Sequence, residues 1–171
     1  MDLLLDVDGV LNPCPFSIDR SSEWIFEQPF KSTKASGGFT LNLSREMGKA
    51  IEELDYNIRW LTTWAHHAHV NIGMHFDWIS HQVLAEPPEA SYNMYGCTSS
   101  DWLWKPRAVM EFVKDPGDKV VWIDDDANEF IDHFDKNGLT LDPHERLLII
   151  SPITDVGLTK SDLGRIREFL R

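Results

Sequence analysis

Cysteine is scarce in this chain of 171 residues: Cys14 and Cys97 are the only two. Two are too few for a disulfide framework, and their spacing is not that of a metal-binding pair. Positive charge is also short. Sixteen Lys and Arg stand against 28 Asp and Glu, a formal net charge of −12. A surface of that sign repels a phosphate backbone at long range, which argues against avid non-specific nucleic-acid binding but leaves room for a locally positive pocket. Long hydrophobic runs are missing as well. Leu3-Leu4-Leu5 is broken by Asp6, far short of the ~20 apolar residues that span a bilayer. No signal peptide is legible, because Met1 and Asp2 lead straight into that run. The expectation is a soluble, cytoplasmic protein with no membrane partner.

What is present is the composition of a folded domain. Hydrophobic residues make up 42%, with seven Trp and nine Phe. That suffices for a single domain, residues 1–171, with a sizeable core and at most a modest insertion. Leu3 to Val7 reads as a strand buried on both faces. Residues 9 to 43 differ: Pro, Ser and Gly interleave with Trp24, Ile25, Phe26, Phe30 and Phe39, and Gly37-Gly38 suggests a hairpin or lid rather than core. Ser44 is placed to cap a helix carrying Met47, Ala50, Ile51 and Leu54. Further strands are expected at Ile58 to Thr62, Gln82 to Ala85, Val120 to Ile123 and Leu147 to Ile150. Helices are expected from about Ala65, from Pro106 as first helical residue, from beyond Asp126 to near Gly138, and after Thr159, with Asp162 in a capping-box position. Strands alternating with helices predict an α/β fold, a three-layer α/β/α sandwich on a mainly parallel, Rossmann-like sheet. Ligands in such sheets bind beyond the carboxyl ends of the strands.

Those ends carry the chemistry. In Asp6-Val7-Asp8-Gly9, strand alternation puts Asp6 and Asp8 on one side, and Gly9 lets the chain turn away at once. Two close carboxylates repel unless a cation lies between them or their pKa values split. Taken alone, the segment is equally a strand followed by an Asp-Gly turn. Asp124-Asp125-Asp126 ends a second apolar strand and is costly to assemble without a metal or strong hydrogen bonds, although Asp126 is also placed to cap the following helix. Two acidic strand ends suit a hard, oxygen-seeking cation such as Mg²⁺. Thr62, with Thr63 as second choice, offers a hydroxyl and N–H groups to phosphate oxygens. Lys105 brings an ammonium to a helix start already favourable to anions. His66, His67 and His69 invite a metal reading, but no further ligand is apparent and a surface histidine group explains them better.

In order along the chain, Asp6-Val7-Asp8-Gly9-Val10-Leu11-Asn12, Leu61-Thr62-Thr63, Lys105 and Trp122-Ile123-Asp124-Asp125 resemble the haloacid dehalogenase (HAD) superfamily of phosphohydrolases. The compact form, with residues 13 to 43 as a small flap, is similar to the domains of that superfamily in nucleic-acid repair proteins. The resemblance implies a phosphatase with Asp6 as nucleophile, forming an aspartyl-phosphate. It implies Asp8 as the group that protonates the leaving oxygen and then activates water. Mg²⁺ would be held by Asp6, the backbone carbonyl of Asp8, and Asp124 or Asp125, while Thr62 and Lys105 bind the transferring phosphoryl group. A small nucleotide or sugar phosphate is the expected substrate. End-phosphate removal from RNA or DNA is the alternative, opposed by the net charge and the lack of a basic stripe. A phospho-acceptor signalling module would also combine Asp, Thr and Lys around Mg²⁺, but it has no use for an acid/base such as Asp8. A binding protein without catalysis is disfavoured because no motif position is missing.

Overall fold

In a computed structural model of the chain, residues 1–14, 31–34, 40–88, 103–114, 117, 119–136 and 146–171 are described. Five short segments form one parallel sheet: β1 (Asp2–Leu5), β4 (Asn57–Trp60), β5 (Gln82–Val83), β6 (Val120–Ile123) and β7 (Leu147–Ile150), in the spatial order β5-β4-β1-β6-β7. A separate antiparallel hairpin pairs β2 (Lys31–Lys34) with β3 (Thr40–Leu43). The helices are α1 (Arg45–Glu52), α2 (His67–Asn71), α3 (Trp104–Lys114), α4 (Ala127–Lys136) and α5 (Lys160–Phe169), with a 3₁₀ turn at Gly73–Phe76.

Period-two alternation divides the core into two halves, one on each face of the sheet. Leu3 and Leu5 of β1, with Val121 and Ile123 of β6, meet Met47 and Ile51 of α1 and Leu163 and Ile166 of α5. Leu4, Val120, Trp122 and Leu147 point the other way, against Trp104 and Val109 of α3 and Phe130 of α4. This is the expected three-layer α/β sandwich. The central strands are buried on both sides, which is why they read as continuous apolar runs rather than alternating ones. The chain builds outward from β1 to β4 and β5, then returns across β1 to lay down β6 and β7. Right-handed crossovers then require the connecting helices to fall on opposite faces. The order reverses beside β1, so the crevice at its carboxyl end lies at the switch point.

Local signals hold at several places. Ser44 Oγ accepts the Met47 N–H and caps α1. Thr159 and Asp162 close a reciprocal capping box on α5. Other boundaries shift. The helix after β4 starts at His67, because Ala65 adopts a left-handed backbone (φ 44°) that interrupts helical geometry. Pro106 is the third residue of α3 rather than the first, tolerable because the first-turn N–H groups have no intrahelical acceptor anyway. The expected hairpin forms, yet Leu41 and Leu43 are buried in the main core, so the end of the inserted stretch is structural. The aromatic residues from Trp24 to Phe30, Phe39, Cys97 and Gly138 lie outside the described residues. No helix among the described residues is long and apolar enough to cross a membrane.

Candidate active site

Register brings the first two carboxylates together. Leu5 of β1 lies opposite Ile123 of β6, so the next residues, Asp6 and Asp124, leave neighbouring strands at the same level. The Asp6 N–H donates to the Ile123 carbonyl at 3.0 Å and the Asp124 N–H to the Ile150 carbonyl at 3.1 Å, extending the ladder to the edge of the site. Both residues are buried, Asp124 completely. Lys105, in the first turn of α3, reaches between them. Its Nζ donates to Asp6 Oδ2 and to Asp124 Oδ2, each at 2.8 Å.

Burial works against the Lys105 charge, but the Asp124 and Asp6 carboxylates outweigh it and hold the ammonium well above its usual range. At Asp124 the balance tips the other way. Burial pushes its carboxyl up to about 7 despite the pull of Lys105, and Asp6 adds repulsion. Asp125, half-buried, is pushed up to about 6 by burial, with the Thr154 hydrogen bond opposing and Asp6 and Asp126 reinforcing. One ammonium thus faces several carboxylates in a region poor in water. One oxygen each from Asp6, Asp124 and Asp125 lies within 4.8 Å of the others, and no other such triad of acidic, His or Cys ligands occurs among the described residues. An all-oxygen donor set, too negative for its single ammonium, fits Mg²⁺, whose octahedral ligands stand about 3 to 4 Å apart. Both Asp124 and Asp125 reach this triad. Asp126 is exposed, and its N–H donates to Asp124 Oδ1 in the turn that precedes α4.

Gly9 makes the triad possible. It has φ 70°, and a Cβ placed on it would lie 2.0 Å from Asp125 Oδ2. Asp125 is steadied by its own carbonyl, which accepts from Ser151 Oγ at 2.7 Å.

The Asp8 carboxylate stands apart from the triad. Its Oδ1 accepts from Asn12 Nδ2 and its Oδ2 from the Trp64 indole Nε1, both at 2.7 Å. Burial raises its pKa; those two bonds lower it and Asp6 raises it further. Thr62, fully buried at the end of β4, accepts the Trp64 backbone N–H on Oγ1 and keeps its hydroxyl proton to donate. Thr63 is exposed. Asp6, Asp8, Thr62, Lys105, Asp124 and Asp125 therefore stand at one edge of the sheet, as their positions in the sequence suggested. His66 is exposed and pairs with Glu86 at 2.6 Å, away from any ligand cluster. Sequence reasoning gave no role to Asn12 and Trp64. Asn12 stood within the quoted motif, whereas nothing local marked Trp64.

A family profile described as the HAD domain in Swiss Army Knife RNA repair proteins matches residues 3–163. Comparison with curated proteins returned no match, and neither did comparison with solved structures.

Proposed function

The chain belongs to the family of HAD domains in Swiss Army Knife RNA repair proteins, and from that membership and the site geometry we propose that it is a Mg²⁺-dependent phosphomonoesterase acting through an aspartyl-phosphate on Asp6. One observation carries this reading. Asp6 and Asp8, two residues apart, are held by different partners: Asp6 by Lys105, within the metal-competent triad, and Asp8 by two N–H donors outside it. That division suits a nucleophile and an acid/base. When bound by Asp6, Asp124 and Asp125, the cation supplies charge neutralisation at the phosphoryl oxygens.

The chain's own residues do the rest. Lys105 Nζ and the Thr62 hydroxyl bind the phosphoryl oxygens and reduce the repulsion between carboxylate and phosphate dianion. An Asp6 carboxylate oxygen attacks phosphorus as the bond to the leaving oxygen breaks, and Asp8 gives that oxygen its proton. Water then attacks the phosphorus of the aspartyl-phosphate while Asp8, now ionised, takes the water's proton. The Asp6–phosphorus bond breaks, releasing inorganic phosphate and restoring both carboxyl groups.

The substrate we propose is a phosphomonoester of a small nucleotide or sugar. The family description favours a second reading, an RNA end phosphate, against which the net charge of −12 weighs. Free nucleotides tested beside end-phosphorylated oligoribonucleotides separate the two. Asp6→Asn should abolish turnover. Asp8→Asn should lose roughly 10²–10⁴-fold and, with an activated ester, accumulate phosphoenzyme on Asp6 that hydroxylamine removes. Substantial activity in Asp6→Asn, or phosphate trapped on another residue, refutes the mechanism.

A further inference from the structure

Asp8 is gripped from two directions by groups that do not titrate. Asn12 comes from the turn that follows β1, and Trp64 from the turn that follows β4, 56 residues away in sequence. Each carboxylate oxygen has two lone pairs, so one N–H donor apiece fixes the plane of the group and still leaves each oxygen room for a proton or a reacting oxygen. Asn12 is itself fixed. While its Nδ2 donates to Asp8, its Oδ1 accepts the backbone N–H of Asn42 in β3 at 2.8 Å. Turning the amide over would set oxygen against carboxylate and NH₂ against N–H, so the network permits one orientation only. Asn carries a donor and an acceptor on one short stem, as both bonds demand. The Trp64 indole is aimed by an equally specific turn: its backbone N–H is held by Thr62 Oγ1, and Ala65 beside it takes a positive φ. The indole N–H groups of Trp60, Trp78 and Trp122, by contrast, are buried with no partner among the described residues.

The geometry points to Trp64 and Asn12 as positioning residues that hold the Asp8 carboxylate at the leaving oxygen, with Asn12 anchoring it to strand β3 at the end of the inserted stretch. This rests on the phosphatase reading above. Proton transfer needs donor and acceptor within about 2.6–3.2 Å, and a misplacement of about 1 Å costs on the order of 10²-fold. A carboxylate free to rotate loses that alignment, and the loss matters most where the leaving group cannot depart unprotonated.

The test compares kcat/KM, which covers the steps through release of the leaving group, for p-nitrophenyl phosphate and for an alkyl phosphate. Wild type, Trp64→Phe, Asn12→Ala, Asp8→Asn and Asp6→Asn are measured side by side with saturating Mg²⁺. Trp64→Phe keeps an aromatic six-membered ring and loses the pyrrole with its N–H, a conservative change for the fold, and Asn12→Ala tests the opposite grip. Both should lose roughly 10- to 100-fold on the alkyl ester and less than about 3-fold on the aryl ester, a weaker form of the Asp8→Asn pattern. Equal losses on both esters, or no loss, in an active enzyme that Asp6→Asn inactivates overturn the inference and leave the phosphatase reading standing. A wild type inactive on both esters, or an active Asp6→Asn, overturns the reading and the inference together.

Discussion

Lys105→Met is the perturbation whose outcome the structure constrains best. The side chain is about as long and is lost only as a charge, from between two carboxylates with side-chain exposures of 8% and 0%. Each contact at 2.8 Å corresponds to about 6 kcal/mol of attraction at an effective dielectric near 20, before the hydration lost by the partners is subtracted. Removing one partner of a buried ion pair costs about 3–5 kcal/mol net, because the remaining charges stay buried and unpaired. The cost should depend on pH. Burial already pushes the Asp124 carboxyl up to about 7, and without Lys105 it rises further. A carboxyl whose folded pKa exceeds its unfolded value near 3.9 binds its proton more readily in the folded state. Its stabilising contribution is therefore lost as pH climbs from about 4 through 7 and beyond. In metal-free protein the variant should lie about 2–4 kcal/mol below wild type at pH 5 and about 3–5 kcal/mol below it at pH 8, because the gap widens by at most about 1.4 kcal/mol per pH unit above 7, where only wild-type Asp124 ionises. The gap at pH 8 is equivalent to about 6–20 °C in melting temperature. Urea melts in EDTA at pH 5, 6.5 and 8 measure this. Added Mg²⁺ should narrow the gap at pH 8 by supplying the missing positive charge. A cost that does not change with pH, or a variant as stable as wild type at pH 8, refutes the electrostatic account.

Other outcomes follow from the same geometry. Metal affinity should fall as the solution is acidified from pH 7.5 to 5.5, since protons on Asp124 (about 7) and Asp125 (about 6) compete with the cation; calorimetric titration with Mg²⁺ measures it, and activity in excess EDTA would refute the metal requirement. Gly9→Ala should cost about 1–2 kcal/mol for its left-handed backbone and weaken Mg²⁺ binding by displacing Asp125, which a thermal-shift titration would register. Leu43→Ala should destabilise by about 2–5 kcal/mol in a denaturant melt; a negligible change would return β3 to a peripheral role.

Much of the site was legible because its elements announce themselves locally. An apolar run ending in Asp-x-Asp-Gly encodes a buried strand, two carboxylates on one side and an immediate turn, all within a few residues. The Asp124-Asp125 strand end repeats that logic, and Ser44 and Thr159 carry helix caps in their own side chains. Thr62 and Lys105 were legible only through their order among the acidic motifs, since a Thr in a strand or a Lys at a helix start has many ordinary uses. The exposure of Thr63 and the burial of Thr62 separate the two only once β4 is seated in the sheet.

The sequence by itself determined the layered α/β architecture, the parallel strands and the acidic residues at their ends, because apolar periodicity and turn chemistry act over a few residues at a time. The tertiary structure alone decided what each carboxylate faces. Lys105 and Asp6 are 99 residues apart, Trp64 and Asp8 are 56 apart, and Asn12 meets Asn42 across 30. Those contacts depend on which strands become neighbours and in what register. No local propensity encodes that; it is set by the burial of both faces of one sheet.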